Sequence, residues 1–149
     1  MKRWILAGAV ILGWMPALGA TVPVALTSLR AVHELSGTEA AKGRPVAFEG
    51  TVSYYNKSDI DLFIQDGDLG IYVQTIMGAG IALGDRVLVR GHTRDSFRTD
   101  ILGDSVTVLN HGTPPKPLTA NFDQMISSQL DCRRVTARAV VRSADMVVD

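Results

Sequence analysis

The chain has 149 residues, of which 46% are apolar and 20% charged, with 15 basic and 15 acidic side chains. This length allows one core of ordinary size plus a fragment, and the composition excludes a disordered chain. The single cysteine, Cys132, excludes an internal disulfide. We expect it to be a small, half-buried apolar side chain, with a bridge to a partner chain as the alternative.

The first 20 residues have the order of a secretory signal peptide. Lys2 and Arg3 precede an apolar run over residues 4–15, and a small-residue stretch follows at 17–20. The run of about a dozen residues is shorter than the roughly 20 that a transmembrane helix needs, which favours a cleaved leader over a retained anchor. We therefore predict an exported, periplasmic or otherwise extracytoplasmic protein.

Removal of this leader leaves 13 basic residues against 15 acidic ones, a formal charge of −2. A chain with that charge is not expected to bind nucleic acid non-specifically, because such binding rests on neutralising phosphates with surplus cations.

Residues 21–43 predict a leading helical segment. Thr27 and Ser28 can cap a short helix, and residues 36–39 have the spacing of a capping box for another turn. Gly43 is expected to end it.

Residues 44–112 predict five strands, because apolar residues alternate there between glycine and aspartate turns. The strands are expected from residue 45 to about 54, at 61–65, at 70–75, at 86–94 and at about 104–109. In the first strand the apolar alternation puts Tyr54 on the same side as Val52, and Gly50 indicates a bend or bulge. The turn at 66–69 predicts an antiparallel hairpin, and the connector at 77–83 is expected to hold a short helix or none.

A lone five-stranded antiparallel sheet leaves its edge strands unpaired, and closure into a barrel removes those edges. The predicted fold class is therefore all-β with short flanking helices, namely a five-stranded Greek-key barrel of the oligonucleotide/oligosaccharide-binding (OB) type, plus the start of a second, truncated repeat.

That second repeat is predicted for residues 118–149, after a proline-rich linker at 113–117. Residues 118–119, a helical stretch at 122–130 and an alternating stretch at 135–142 parallel residues 26–27, the first helix and residues 46–53. The second unit ends after one predicted strand, so we expect a partial chain.

Four segments resemble the extracytoplasmic barrel module that precedes some bacterial sensor histidine kinases and diguanylate cyclases. They are residues 26–33, 63–67, 70–73 and 84–91. The resemblance covers residues 26–149 and implies a sensory region followed by further barrel repeats, a membrane span and a cytoplasmic signalling domain. A membrane would be involved only through those downstream parts.

A candidate ligand-binding face follows from side-chain alternation. Arginines recur at every fourth residue from Arg86 to Arg98, so they point from one face of an extended strand. Two aromatic rings and two glutamines of the second and third strands are expected on the same side, where rings beside arginines can hold bases or sugars. The predicted site residues are Phe63, Gln65, Tyr72, Gln74, Arg86 and Arg90. The alternative is a solvated face whose arginines pair with aspartates on neighbouring strands.

Asp66 and Asp68, with Arg86, raise the hypothesis of a metal-dependent nuclease on the same barrel. A calcium site needs six to eight oxygen ligands, more than this turn offers, and an Asp-Gly-Asp hairpin is common for turn reasons alone. The three histidines have no ligand-spaced partners. We therefore expect no catalytic residues, no metal and no cofactor.

The sequence favours a non-enzymatic exported binding or interaction module, the sensory input region of a membrane-bound signalling protein such as a sensor histidine kinase. Its expected partner is a small or anionic ligand, or a neighbouring barrel repeat, and no specific nucleic acid. The alternatives are the nuclease-like enzyme and a purely structural spacer.

Overall fold

The computed structural model describes residues 23–59, 61–75 and 80–144, so the predicted leader and residues 77–79 of the connector lie outside the described residues. The elements are α1 (Leu29–His33), α2 (Gly37–Ala40), β1 (Pro45–Asn56), β2 (Asp61–Asp66), β3 (Leu69–Thr75), β4 (Arg86–Arg94), β5 (Asp100–Asn110), β6 (Leu118–Thr119), α3 (Phe122–Ile126) and β7 (Val135–Thr136). Within the described ranges, no helix is long and apolar enough to cross a bilayer.

Strands β1 to β5 form a closed barrel in the neighbour order β1-β2-β3-β5-β4. The first half of β1 pairs antiparallel with β4 and its second half with β2. The ring closes where β3 and β5 pair in parallel over three residues beginning at Val73 and Ile101. This is an OB-like barrel, so the prediction of a five-stranded OB-type barrel with short flanking helices is confirmed.

The end of β1 differs from the sequence expectation. The pairing of β1 with β2 shifts register between Val52 and Tyr54, which leaves one extra residue on β1. Such a bulge reverses the inside–outside alternation beyond it. Tyr54 is therefore 45% exposed, whereas Tyr55 packs against the core. The prediction that Tyr54 shares a face with Val52 is wrong for this reason.

The core fills the barrel with apolar side chains from all five strands and from α1. Ser28 caps α1 by accepting a hydrogen bond from Ala31 N at 3.2 Å, as its position in the sequence predicted. The helix adds Leu29 and Val32 to the core. The largest fully buried apolar side chains are Phe48, Leu29, Leu62, Ile64, Ile101, Val32, Val52, Val73, Val87 and Val89.

Residues 118–144, here called the C-terminal segment, are less regular than predicted. Helix α3 ends at Ile126 rather than at residue 130, and the chain continues through turns in which Ser128 and Cys132 have φ near +58° and +57°. Strand β7 contains only two residues, paired in parallel with β6. The predicted strand at 135–142 is wrong beyond Thr136, because residues 137–144 pair with no strand in the described ranges.

The two halves of the chain share a local arrangement. Leu118 pairs in parallel with Val135 across α3, and Leu26 pairs in parallel with Val46 across α1 and α2. These are the positions that the sequence parallel matched. The continuation into a second barrel stays a prediction.

The linker and the C-terminal segment lie directly against the barrel at two glycines. A Cβ on Gly84 would meet Pro114 N at 2.7 Å, and a Cβ on Gly70 would meet Cys132 C at 2.7 Å. No other residue type fits these places without moving backbone, so the two glycines allow the segment to dock on the barrel.

Asp85 is a buried carboxylate at the turn before β4, with 2% of its surface exposed. Its Oδ1 accepts a hydrogen bond from His111 Nδ1 and its Oδ2 one from Ala82 N, both at 2.8 Å. The hydrogen bond from His111 is the main reason that the pKa of Asp85 lies below its usual value of 3.8, against the opposing effect of burial. Because the folded pKa is the lower one, ionised Asp85 stabilises the fold above the unfolded pKa, and this contribution is lost as pH falls through the folded pKa.

We expect Asp85→Asn to lower the free energy of unfolding at pH 7 by about 1–3 kcal/mol, because the amide cannot accept from both donors as the carboxylate does. The variant should also lose less stability than the parent between pH 4 and pH 2. Urea unfolding across this range measures both effects. The matched control is Asp104→Asn, which breaks the exposed pair with His92 and should cost under about 1 kcal/mol. Equal losses in the two variants would contradict the role assigned to Asp85.

Candidate functional site

Three aromatic rings form a row across the outer face of β1, β2 and β3. Tyr54 pairs with Phe63, and Phe63 pairs with Tyr72, across neighbouring strands. The ring centroids are 5.0 Å apart in the first pair and 6.1 Å in the second. The bulge that turns Tyr54 outward therefore completes this row.

Polar groups continue the row beyond Tyr72. The Tyr72 hydroxyl donates to Asp61 Oδ1 at 2.5 Å, and burial together with this bond raises the pKa of Tyr72 to about 12. The phenol is therefore neutral at physiological pH. On β5, Asp100 accepts two hydrogen bonds of 2.8 Å from Arg94, whose Nη1 also donates to Gln74 Oε1 at 3.0 Å.

A cleft on the outer side of the barrel, here called the main cleft, has a volume of about 550 Å³. Its floor is the outer face of β2 and β3, one wall is the loop between β4 and β5, and the other wall is the C-terminal segment. The residues that define it are Phe63, Gly70, Tyr72, Phe97, Arg98, Asp100, Asp131 and Cys132, with His33 from α1. Phe97, at the rim, is 93% exposed.

Specific bonds hold the two walls of the main cleft together. Arg98 Nε lies 2.8 Å from Asp131 Oδ2, and Arg98 Nη1 donates to Ser128 O at 3.3 Å. On the floor, His33 Nε2 donates to Gly70 O at 3.0 Å. The loop after β4 and the C-terminal segment are thus joined across the opening by one arginine.

Charges inside the main cleft are balanced. Arg98 is paired with Asp131, and Asp100 is paired with Arg94 just outside the lining. Cys132 adds a half-buried thiol, whose pKa is raised to about 11 by burial and by the neighbouring Asp131. The thiol is therefore protonated and slow to react at neutral pH.

A second cleft, here called the small cleft, has a volume of about 330 Å³ and lies where β1 and β2 meet the linker. Its charged and polar lining consists of Thr51, Gln65, Asp66, Arg86, Thr113, Lys116 and Arg133. Arg86 Nη1 lies 3.0 Å from Asp66 Oδ1 and Arg86 Nε 3.5 Å from Glu49 Oε2.

The structure divides the six predicted site residues among several places. Phe63 and Tyr72 line the main cleft, whereas Gln65 and Arg86 line the small one. Gln74 is bound to Arg94, and Arg90 is exposed on β4. The expectation of one shared face is wrong, because β1 lies between β4 and β2 in the barrel, and β5 lies between β4 and β3.

Gln65 also differs from its expected exposure, with only 6% of its surface accessible. Its Oε1 accepts a hydrogen bond from Arg134 N at 3.2 Å, and its Nε2 donates to Gly67 O at 3.0 Å. It does lie on the outer side of β2, but the C-terminal segment covers it there.

Three lining residues are absent from the set predicted from the sequence, namely Phe97, Asp131 and Cys132, and Arg98 enters that prediction only as a member of the arginine series. A large aromatic residue inside the polar stretch 95–99 was an available signal for Phe97, because exposed aromatics in loops mark contact surfaces. Nothing local predicted that residues 131–132 return to β3.

The Asp-Gly-Asp turn holds carboxylates that are engaged by arginines. Asp66 pairs with Arg86, and Asp68 lies 3.6 Å from Arg30 Nη2. In the part of the chain that the structure describes, no group of three or more His, Cys, Asp or Glu side chains is placed to hold a metal ion.

Comparison with known proteins returns similar structures but no family. No family model matches the sequence, and no curated protein matches it. Similar solved structures include the hypothetical protein ygiW from E. coli (15% identity, TM-score 0.44, covering 58% of this chain and 91% of that one). Another is the telomere capping protein Ten1 from Saccharomyces pombe (17% identity, TM-score 0.36, covering 48% of this chain and 75% of that one). A third is aspartyl tRNA synthetase from Entamoeba histolytica (12% identity, TM-score 0.47, covering 96% of this chain and 37% of that one). The assignment of the OB-like fold rests on the strand order and pairing.

We expect Gly70→Ala to displace the wall formed by the C-terminal segment, because the new Cβ would meet the backbone of residues 131–132 at 2.7–2.8 Å. Cys132, the only cysteine, reports this directly: its rate of modification by a thiol reagent at pH 7.5 should rise several-fold. The matched control is Gly37→Ala, whose Cβ would meet only the flexible side chain of Asp95. An unchanged labelling rate in Gly70→Ala would show that the wall does not depend on this contact.

Proposed function

We propose that the chain is a non-enzymatic exported binding module, the sensory input region of a membrane-bound signalling protein such as a sensor histidine kinase, and that its ligand occupies the main cleft. The position of the main cleft carries the proposal. The outer face of strands 2 and 3, together with the loop between strands 4 and 5, is the surface that OB barrels use for oligonucleotides and oligosaccharides. Here that surface is recessed and lined by aromatic rings.

The chemistry of the lining favours a short neutral oligosaccharide. Phe63, Tyr72 and Phe97 offer rings on which the apolar face of a sugar can stack. Asp100 and Arg98 present carboxylate and guanidinium groups that can bond to sugar hydroxyls. Both are already neutralised by partners, so among the described residues the main cleft has no surplus cations of the kind on which binding of a nucleic-acid backbone depends.

Transmission of a signal is supported by the contribution of the C-terminal segment to one wall of the main cleft. A ligand in the main cleft would touch the barrel floor and residues 131–132 together, and the latter belong to the segment that leads onward along the chain. Arg98, which bonds to Asp131 and Ser128, would adjust with the ligand. Occupancy would then favour one position of the C-terminal segment over others.

We expect isothermal titration of the 149-residue chain with maltose, cellobiose and diacetylchitobiose to detect binding of at least one. Phe97→Ala should weaken it about tenfold, the loss of one stacking contact worth about 1.4 kcal/mol. Phe97 is 93% exposed, so the substitution should leave the fold intact. The matched control is Phe122→Ala, at an exposed phenylalanine outside the main cleft, which should change affinity less than twofold.

Two outcomes would overturn the assignment of a sugar. Equal losses in Phe97→Ala and Phe122→Ala would remove the main cleft as the site. Binding of single-stranded dT10 or of an acidic peptide, with no binding of the saccharides, would show that the ligand is not a sugar.

Export is tested separately. We expect alkaline phosphatase, which is active only after disulfide formation outside the cytoplasm, to be active when fused after residue 149 in a bacterial host. Lys2→Glu with Arg3→Glu should abolish that activity, because a signal peptide needs a positive start. Lys116→Glu with Arg138→Glu makes the same change in charge within the mature region and should leave it unaltered. An inactive parent fusion that is made and stable would contradict export.

A further inference from the structure

The small cleft carries more positive than negative charge. Arg86, Lys116 and Arg133 line it, against the single carboxylate of Asp66. Arg86 is engaged by Asp66 and Glu49. Among the described residues, neither Lys116 nor Arg133 takes part in an ion pair. Two cations of the small cleft therefore have no ion-pair partner among the described residues.

Arg133 also has a hydrogen-bond donor without an acceptor among the described residues. Its Nε is buried and has no hydrogen-bond acceptor among the described residues. A buried donor of a charged group is costly to leave unpaired, and nearly all such donors in native proteins have a partner. Because Nε has almost no accessible surface, an oxyanion in the small cleft would contact Arg133 through the other atoms that line the cleft and would balance the charge of its guanidinium.

The backbone around Arg133 is fixed by hydrogen bonds on both sides. Arg133 N donates to Leu130 O at 3.1 Å, and Arg134 N donates to Gln65 Oε1 at 3.2 Å. Leu118 N donates to Arg134 O at 3.0 Å. The base of the Arg133 side chain is thus held in place before any ligand arrives, which lowers the entropy cost of binding.

We propose that the small cleft binds a tetrahedral oxyanion, a phosphate or sulfate group, between Arg133 and Lys116. A guanidinium presents several N–H donors in a fixed plane, and an ammonium adds a compact charge, a combination suited to such groups. Thr51 and Thr113 line the same cleft, and a threonine hydroxyl can donate a hydrogen bond to a further oxygen of the anion. This site is separate from the main cleft and does not depend on its ligand.

Titration of the 149-residue chain with sodium phosphate and with sodium sulfate, at constant ionic strength set by chloride, tests the proposal. We expect saturable binding of one anion per chain, about tenfold weaker in Arg133→Gln and several-fold weaker in Lys116→Gln, because each removes a charge-assisted hydrogen bond. The matched control is Arg138→Gln, at an exposed arginine of the C-terminal segment, which should bind as the parent does. Glycerol 3-phosphate as a third probe distinguishes a free ion from a phosphate ester: tighter binding of the ester means that a larger molecule carries the group.

Two results would overturn the proposal. One is the absence of saturable binding by phosphate, sulfate and the ester. The other is a loss in Arg138→Gln as large as that in Arg133→Gln, which would indicate attraction by overall charge alone. A changed thiol reactivity of Cys132 in Arg133→Gln would show that this substitution disturbs the C-terminal segment. The affinity of Lys116→Gln then tests the site instead, because Lys116 is exposed. An unchanged affinity in Lys116→Gln would count against the site.

Discussion

Strand β1 pairs with two neighbours, β4 along its first half and β2 along its second, and the barrel can close only if the strand bends between them. Gly50 lies at the change of partner, where a Cβ would come within 2.3 Å of Ile64 Cγ2. The bulge beyond Val52 adds further twist and turns Tyr54 to the outside. The bend of β1 that closes the barrel therefore also places the Tyr54 ring in the row with Phe63 and Tyr72.

Closure of the barrel also determines where the charged side chains lie. Because β1 and β5 flank β4, Arg86 and Arg90 of β4 lie away from the aromatic floor that β2 and β3 form. Arg94 reaches that region at one end of the strand and is neutralised there by Asp100, while Arg86 reaches the small cleft at the other end. The barrel thus separates an aromatic, charge-balanced cleft from a smaller basic one.

The C-terminal segment contributes to both clefts through consecutive residues. Asp131 and Cys132 form a wall of the main cleft, and Arg133 lines the small one. Gly70 makes this close approach possible, and Gln65 ties the segment to β2. Ligands in the two proposed sites would therefore act on the same short stretch of backbone, which gives a physical route by which each could bias its position.

The sequence by itself determined the elements whose cause is local. Ser28 caps α1, Gly67 takes the positive φ of the hairpin turn, and the alternation in residues 86–94 defines β4 with its bounds. These features depend on residues a few positions apart, and closure followed from the need to pair strand edges. Only the tertiary structure decided the bulge before Tyr54, the separation of Arg86 from Phe63, and the burial of Gln65 under the C-terminal segment. Each of these depends on contacts between residues far apart in the chain, and such contacts leave no period in the sequence.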